Sequence, residues 1–215
     1  MKKIAIIGAG DLGQLIAHHA PQCSNLSVVG YFDDYANKNS LVRGLPVLGL
    51  IKDTESFFAL GKFDSLMIGI GYNHMKFRKD TFESFSGKIP FEKLIHPSSF
   101  VDPSVVIGEG SFVLPGCTID VGSKLGNNVL LNTGSTIAHD TTICNHSFLA
   151  PAVAVAGKTI INECCILGIN CTIIDNLLIG KNIRIGAGSL VLKNIEIPGM
   201  YAGVPAVLKK QYSDL

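Results

Sequence analysis

Large aliphatic residues recur every six positions through the second half of the chain. From Ile95 to Ile197, eighteen successive sites at this spacing carry isoleucine, leucine or valine, without one insertion. A period of six fits neither an α-helix nor a simply alternating strand. It predicts a prism wound from short strands, in which each hexad forms one flat side, three sides form one coil and the aliphatic residue points inward.

A second column of side chains supports this interpretation. Four residues after most aliphatic sites lies a small or β-branched residue, as at Ser111, Cys117, Ser135 and Thr141, which suits a narrow interior near a turn. Eighteen hexads make about six coils, and stacked strands give a prism roughly 29 Å tall. Because each coil pairs with the coils above and below it, only the two ends need capping.

The first 90 residues follow a different pattern. A buried strand at Lys3–Ile7 leads through a glycine-rich turn, Gly8–Gly13, into an amphipathic helix. A second predicted strand, Leu26–Phe32, ends at an Asp-Asp pair, and a third, Ser65–Ile70, ends at a Gly-Tyr-Asn-His segment. Strands that alternate with helices predict a small Rossmann-like α/β domain over residues 1–90.

This domain carries a candidate phosphate site. Gly8, Gly10 and Gly13 fit the Gly-x-Gly-x-x-Gly spacing, which presents backbone N–H groups and a helix N-terminus to a phosphate. We expect Asp33 and Asp34, about 20 residues further on, to face the nucleotide. The domain is too short for a second dinucleotide half, which favours a nucleotide-linked substrate over NAD. A structural domain without a ligand is the remaining alternative.

Composition and charge exclude several classes of function. A net charge of +1 gives no field that would attract nucleic acid or an anionic membrane. No apolar run is long enough to span a bilayer, and the glycine-broken start does not fit a signal peptide, so we expect a cytoplasmic protein. Six cysteines without metal-ligand spacing indicate reduced thiols. A hydrophobic content of 47% with only 16% charged residues suggests further surface buried in an oligomer.

The repeat selects one histidine as a candidate base. His139 lies two residues past the inward Ile137 and therefore points out of the prism. One coil further on, its column continues at Gly157, which predicts open space beside the imidazole and a close approach by a ligand. Asp140 follows directly and is positioned to hold the imidazole tautomer. In a second column, Asn132 is followed by small residues, which predicts a bare groove for an extended cofactor.

Taken together, the two halves resemble the bacterial sugar acyltransferases of the PglD and NeuD type over essentially the whole length. That resemblance implies a left-handed β-helix over residues 91–200, a cap segment over 201–215, a homotrimer, and acetyl-CoA and a nucleotide sugar as substrates, without a metal. The blocks that carry it are Gly8–Gly13, Phe32–Asp34, Ile70–Asn73, His96-Pro97, Asn132, Ile137–Asp140, Ala156-Gly157, Leu167–Asn170, Ile185–Gly188 and Tyr201–Ala206.

The resemblance also implies the roles of individual residues. His139 becomes the catalytic base, with Asp140 and Asn132 in the catalytic set, and the N–H of Gly157 polarises the thioester carbonyl. The nucleotide sugar would contact the glycine loop, the two aspartates and Asn73. Acetyl-CoA would lie along residues of the later coils: Gly157, Gly168, Ile169, Ala187, Gly203 and Pro205.

The implied reaction is N-acetylation of a nucleotide-linked 4-amino-dideoxy or trideoxy sugar for surface polysaccharide or glycan synthesis. O-acetylation of a sugar or sialic acid makes nearly the same demands on His139. From other classes, a non-catalytic β-helix scaffold and an NAD-dependent oxidoreductase are the alternatives. Two positions depart from the family, since Leu12 and Phe148 replace histidines. His146, two residues from Phe148, is either a substitute or a solvent-facing polar residue.

Overall fold

A computed structural model describes residues 1–212 of the chain, which divide into two compact units, Met1–Leu94 and a second unit that begins at Ile95. The first unit alternates strands with helices, as predicted. Its elements are β1 (Lys2–Ile7), α1 (Asp11–Cys23), β2 (Leu26–Phe32), β3 (Leu41–Val42), β4 (Leu45–Gly49), a 3-10 turn (Ile51–Asp53), α2 (Thr54–Ala59), β5 (Ser65–Ile68), a 3-10 turn (Tyr72–His74) and α3 (Met75–Phe85).

The sheet of the first unit has the order β3-β4-β2-β1-β5, and all of its pairs are parallel except β3 with β4. In β1, which lies between β2 and β5, residues Ile4–Ile7 are apolar and buried, as expected for a parallel sheet with both faces covered. The chain leaves β1 first towards β2 and later returns to pair β5 on its other side. The carboxyl ends of β1 and β5 therefore form a switch point, where open α/β sheets bind ligands.

The second unit is a left-handed parallel β-helix whose coils are eighteen residues long. The predicted inward residues form its core, and successive coils pair them directly, as Ile119 pairs with Ile137 and Ile137 with Val155. Each strand also carries one outward side chain.

The strands of the second unit form three walls. The first wall contains β7 (Phe100–Val101), β10 (Thr118–Ile119), β13 (Thr136–Ile137), β16 (Ala154–Val155), β19 (Thr172–Ile173) and β22 (Leu190–Val191). The second wall contains β8 (Val106–Ile107), β11 (Lys124–Leu125), β14 (Thr142–Ile143), β17 (Ile160–Ile161) and β20 (Leu178–Ile179). The third contains β6 (Leu94–Ile95), β9 (Phe112–Val113), β12 (Leu130–Leu131), β15 (Phe148–Leu149), β18 (Ile166–Leu167) and β21 (Ile183–Ile185), followed by β23 (Gly199–Ala202) and β24 (Val207–Gln211).

The column of small residues has a hydrogen-bonding role that the sequence does not reveal. The Ser111 hydroxyl donates to the carbonyl of Gly126 at 2.7 Å and accepts the N–H of Val129 at 3.0 Å. The Ser147 hydroxyl makes the same pair of bonds two coils further on at the same corner, to Asn162 and from Cys165. Such hydroxyls satisfy backbone groups that the tight corners would otherwise bury without partners.

The last predicted inward site is wrong. Ile197 is 49% exposed, because the final coil is two residues shorter than the others. Ile195 instead pairs with Ile179, and Tyr201 pairs with Ile185. After the shortened coil, β23 and the antiparallel β24 extend the third wall beyond β21. This hairpin begins at Gly199, and residues 213–215 of the predicted cap lie outside the described residues.

Candidate active site and nucleotide cleft

His139 lies at the corner between the first and second walls, which we call the histidine edge; its outward column runs Val121, His139, Gly157 and Asp175. The His139 Nδ1 lies 3.0 Å from Oδ2 of Asp140, and both side chains are about half exposed, at 49% and 57%. This contact favours the tautomer with its proton on Nδ1, since the carboxylate can only accept. The opposite nitrogen, Nε2, is then free to accept a proton.

Gly157 provides the space into which this imidazole packs. A Cβ at position 157 would lie 2.6 Å from Nε2 and 2.8 Å from Cε1 of His139. The space predicted to remain open for a ligand is therefore occupied by the ring itself. The backbone of Gly157 forms the floor of the site, directly beneath the candidate base.

The backbone N–H of Gly157 is available to a ligand. One coil before His139, the equivalent N–H of Val121 is capped by the carboxylate of Asp120 at 2.8 Å. At the coil of Gly157 the residue matching Asp120 is Ala156, which has no acceptor in its side chain. Within residues 1–212 the Gly157 N–H makes no hydrogen bond. The histidine edge thus combines a proton acceptor with an unused donor for an oxyanion.

The first unit contains a separate cleft of about 460 Å³ at its switch point. Its walls come from the carboxyl ends of β1, β2 and β5 and from the start of α3. The lining residues are Gly8, Gly10, Asp33, Asp34, Tyr35, Ile51, Gly69, Ile70, Gly71, His74 and Phe77. A cleft of this size, lined by glycine backbone and a few polar groups, suits a small organic ligand with a phosphate.

The three predicted glycines have different roles in this cleft. Gly8 has a φ of 99°, a backbone conformation that favours glycine. Gly10 directly precedes α1, and a Cβ at this position would meet nothing within 4 Å. Gly13 is not in the lining. A side chain there would collide with the carbonyl oxygen of Gly8, so this glycine lets α1 pack closely on β1.

The two aspartates also differ. Asp33 accepts three backbone N–H groups, from Ala9 at 2.7 Å, Tyr35 at 2.8 Å and Ala36 at 2.9 Å. Burial alone would raise the pKa of this carboxyl, but the three hydrogen bonds outweigh it and the pKa is lowered. Asp33 therefore orders the glycine loop. Asp34 is exposed at the cleft, where its Oδ1 accepts the N–H of Ile51 at 2.9 Å.

Comparisons with known proteins agree with both halves of this geometry. Residues 3–85 match the family described as PglD N-terminal domain. The acetyltransferase domain of PglB from Neisseria gonorrhoeae FA1090 is 27% identical, with a TM-score of 0.89 over 97% of this chain and 100% of that one. A histidine-to-alanine variant of GDP-perosamine N-acetyltransferase from Caulobacter crescentus, solved with CoA and GDP-perosamine, is 27% identical, with a TM-score of 0.90 over 98% of each chain.

Over nearly its whole length the chain is therefore similar to sugar acetyltransferases of the PglD/NeuD type. WeeI from Acinetobacter baumannii AYE, 23% identical with a TM-score of 0.84 over 97% of this chain and 100% of its own, shares the fold. No curated protein sequence matches the chain significantly.

Asn132 does not join His139 within one chain. Asn132 lies at the corner between the third and first walls, which we call the asparagine edge, one corner before the histidine edge. Its Oδ1 accepts the N–H of Thr133 at 2.8 Å. The predicted catalytic set is thus only partly brought together, as the His139–Asp140 pair.

The bare groove along the asparagine edge stays a prediction, but its glycines also have a structural reason. A Cβ at Gly168 would lie 2.6 Å from the backbone nitrogen of Ala187, and one at Gly186 would lie 2.9 Å from Cβ of Ala202. These glycines let the chain's own coils approach each other. The remaining residues predicted to bind acetyl-CoA, Ile169, Ala187, Gly203 and Pro205, are exposed in this part of the β-helix.

His146 is neither solvent-facing nor near His139. It is 4% exposed, at the corner between the second and third walls, and its Nδ1 lies 3.0 Å from Nδ2 of Asn128. In the cleft, Asn73 is not among the lining residues, whereas His74 and Phe77 are. Their spacing of three residues at the start of α3 is the signal that sequence reasoning missed, because such residues share a helix face.

The cysteines and the remaining possible metal ligands show no sign of a second reactive site. All six cysteines are free thiols, and burial raises the pKa of Cys165 and of Cys171 to about 12, so neither thiol ionises near neutral pH. Within residues 1–212, no three His, Cys, Asp or Glu side chains cluster as metal ligands would, and no helix is long and apolar enough to cross a bilayer.

Proposed function

We propose that the protein transfers the acetyl group of acetyl-CoA to the 4-amino group of a nucleotide-linked dideoxy or trideoxy sugar. The observation that carries this proposal is the His139–Asp140 pair packed over Gly157, whose N–H makes no hydrogen bond to any of the residues 1–212. The N-acetyltransferase activity and the bound CoA and GDP-perosamine named for the Caulobacter crescentus relative support it. Both substrate classes are cytoplasmic metabolites, so we propose a cytoplasmic location and a role in polysaccharide synthesis.

The proposed step is a direct transfer. The sugar amine attacks the thioester carbonyl carbon, and Nε2 of His139 takes the proton that the nitrogen loses. The carbonyl oxygen becomes an oxyanion within reach of the Gly157 N–H. The C–S bond then breaks, and the CoA thiolate takes the proton from the imidazolium. Asp140 stabilises the imidazolium while it exists.

An acetyl-transfer assay with a panel of nucleotide sugars tests this function. Each 4-amino sugar is paired with the same sugar bearing a 4-hydroxyl, and acetyl-CoA consumption is measured. We expect turnover of at least one amine and little turnover of its hydroxyl partner. Preference for the hydroxyl sugar would establish O-acetylation instead, and no turnover with any sugar would contradict the proposed activity.

The active site is proposed to form between chains of a homotrimer. The residues proposed to bind acetyl-CoA, such as Ile169, Ala187 and Gly203, lie on or beside the asparagine edge, while His139 lies on the next corner. Two walls of a groove can therefore come from two copies of the chain. The low content of charged residues, 16%, also agrees with a chain that buries part of its surface against other copies.

Trimer formation has a direct test. Light scattering at micromolar concentration should give the mass of three 22.9 kDa chains. Mixed trimers refolded from inactive His139→Ala and inactive Ile169→Arg chains should regain activity, because some sites would then combine two intact edges. A stable monomer would contradict the assembly, and mixtures that stay inactive would contradict the shared site.

Asp34 is proposed to contact the nucleotide sugar at the cleft. Asp34→Ala should raise the KM for that substrate about tenfold, the usual effect of one lost hydrogen bond to a charged group, and leave the KM for acetyl-CoA unchanged. The matched control is Asp64→Ala, which removes another exposed carboxylate that accepts a backbone N–H in the same unit, from Lys3. An equal rise in both KM values would indicate general damage.

A further inference from the structure

Arg78 is a buried cation that the proposed reaction does not use. It lies on α3, is 2% exposed, and donates from Nη1 to the carbonyl oxygens of Ile68 at 2.8 Å and Ile70 at 3.0 Å. Removing an arginine from water is costly, and burial lowers its pKa to about 9. Because burial of this guanidinium is unfavourable, its position next to the cleft suggests that it has a specific role.

These contacts close the open edge of the sheet. In β5, alternate carbonyls point away from β1, and the first of them, at Leu66, accepts the N–H of Glu92 at 3.0 Å. The next two carbonyls on that side belong to Ile68 and to Ile70, just after β5; both residues are buried, and no strand within residues 1–212 pairs with them on that side. The guanidinium of Arg78 takes the place of that strand for both carbonyls.

The same contacts orient a donor at the cleft. In a trans peptide the C=O and N–H point in opposite directions. Because the Ile70 carbonyl is turned towards Arg78, the N–H of Gly71, in the same peptide unit, is turned away from it. Gly71 lines the cleft, and its N–H makes no hydrogen bond within residues 1–212.

Gly69 couples this segment to the glycine loop. Its N–H donates to the carbonyl of Ile7 at 2.7 Å. A Cβ at Gly69 would lie 2.6 Å from the Cα of Gly13, so the two backbones are in direct contact. A displacement of the segment after β5 would therefore move the whole glycine-lined wall.

We propose that Arg78 is a positioning residue for the nucleotide cleft: by holding the Ile68 and Ile70 carbonyls, it aims the Gly71 N–H at the bound nucleotide sugar. This inference rests on the proposed function of the cleft. Arg78 does not contact the ligand. It acts by setting the orientation of the Ile70–Gly71 peptide, so its replacement should change nucleotide affinity. A residue that only stabilised the fold would not have this specific effect.

Calorimetry with UDP, dTDP and GDP at 25 °C tests the first link. The wild-type protein should bind at least one of them, and Arg78→Lys should bind the same one about tenfold more weakly, because a point-charge ammonium cannot hold two carbonyls in the guanidinium geometry. Affinity for CoA should not change. Lys79→Met is the matched control, since it removes the neighbouring cation of α3, which pairs with Glu83 at 3.6 Å.

A second pair of variants tests the donor itself and does not depend on the folding of the Arg78 variant. Gly71 has φ −76°, which proline adopts, and a Cβ there would meet nothing within 4 Å. Gly71→Pro deletes the N–H, whereas Gly71→Ala keeps it. The proline variant should bind the nucleotide about tenfold more weakly than the alanine variant.

The outcomes separate the inference from the function. If the wild-type protein binds a nucleoside diphosphate but Arg78→Lys binds it equally well, or if the two Gly71 variants bind alike, the positioning role is overturned and the cleft keeps its proposed ligand. If the wild-type protein binds none of the three, the proposed ligand of the cleft is wrong and the inference falls with it.

Discussion

Replacing His139 by alanine should lower kcat for acetyl transfer by about 10²–10⁴, the usual range for loss of a general base. Without the imidazole, the nitrogen that is proposed to take the proton from the attacking amine is lost. The loss should be nearly equal in kcat and kcat/KM, because the proton is transferred only in the transition state. Steady-state kinetics with saturating nucleotide sugar measure the effect.

The fold and the affinity for CoA should survive this change. The His139 side chain points out of the prism and is about half exposed, and the inward Ile137 is untouched. Asp140→Asn should be milder, because the base remains present when its orienting partner is lost. Thermal unfolding and CoA calorimetry check that neither variant is damaged.

Glu163→Ala is the matched control for His139→Ala. Glu163 occupies the equivalent position of its hexad, two residues past the inward Ile161, but on another edge, where it pairs with Lys181. An exposed ion pair contributes little, so this variant should keep its activity and stability. If it lost as much activity as His139→Ala, or if His139→Ala stayed within a few-fold of wild type, His139 would not be the base.

The β-helix was predictable because its determinants are local and repeated. Each aliphatic site fills the same interior position, so the period of six directly reflects the packing of one coil on the next. Ile197 was mispredicted because it keeps the spacing while the chain does not keep the coil length. Only the pairing of Ile195 with Ile179 reveals the shortened coil. The terminal hairpin, which has no repeat, left no comparable signal.

The site was predictable only where spacing determines direction. Two residues past an aliphatic site point outward, which selected His139. A glycine is ambiguous, because the space that it leaves can serve a ligand or the chain itself. At Gly168 and Gly186 that space is filled by the next coil, and at Gly157 by an imidazole. Whether a ligand, the next coil or a side chain fills the space beside a glycine depends on three-dimensional packing, which cannot be inferred from a single sequence.

Polar side chains in both units show the same limit. Asp33 and Asp34 are adjacent in sequence, yet the first is used by three backbone N–H groups and the second faces the cleft. His146 shares its offset from the aliphatic site with Asp140, but its corner is buried. The position of a residue within its hexad determines whether its side chain points out of the prism, whereas the burial of each edge depends on what packs against that edge.

Adding one methyl group at Gly157 should lower kcat about 10²-fold, the loss expected when a reacting group is misplaced by roughly 1 Å. In Gly157→Ala the new Cβ would lie 2.6 Å from Nε2 of His139, so the imidazole must rotate away from its position. The side chain can move without unfolding the coil, and stability should change little. The KM for the nucleotide sugar should also stay near the wild-type value, because its cleft is in the other unit.

The double variant Gly157→Ala/His139→Ala identifies the cause. If the methyl group acts by displacing the imidazole, it has nothing to displace once His139 is alanine, and the double variant should be as active as His139→Ala alone. If Gly157 is glycine so that acetyl-CoA can approach the backbone, the methyl group should instead raise the KM for acetyl-CoA in both backgrounds. Kinetics of the four proteins, with acetyl-CoA as the varied substrate, distinguish these results. The second result, without any loss of kcat in Gly157→Ala, would show that the methyl group acts on acetyl-CoA binding and not by displacing the imidazole.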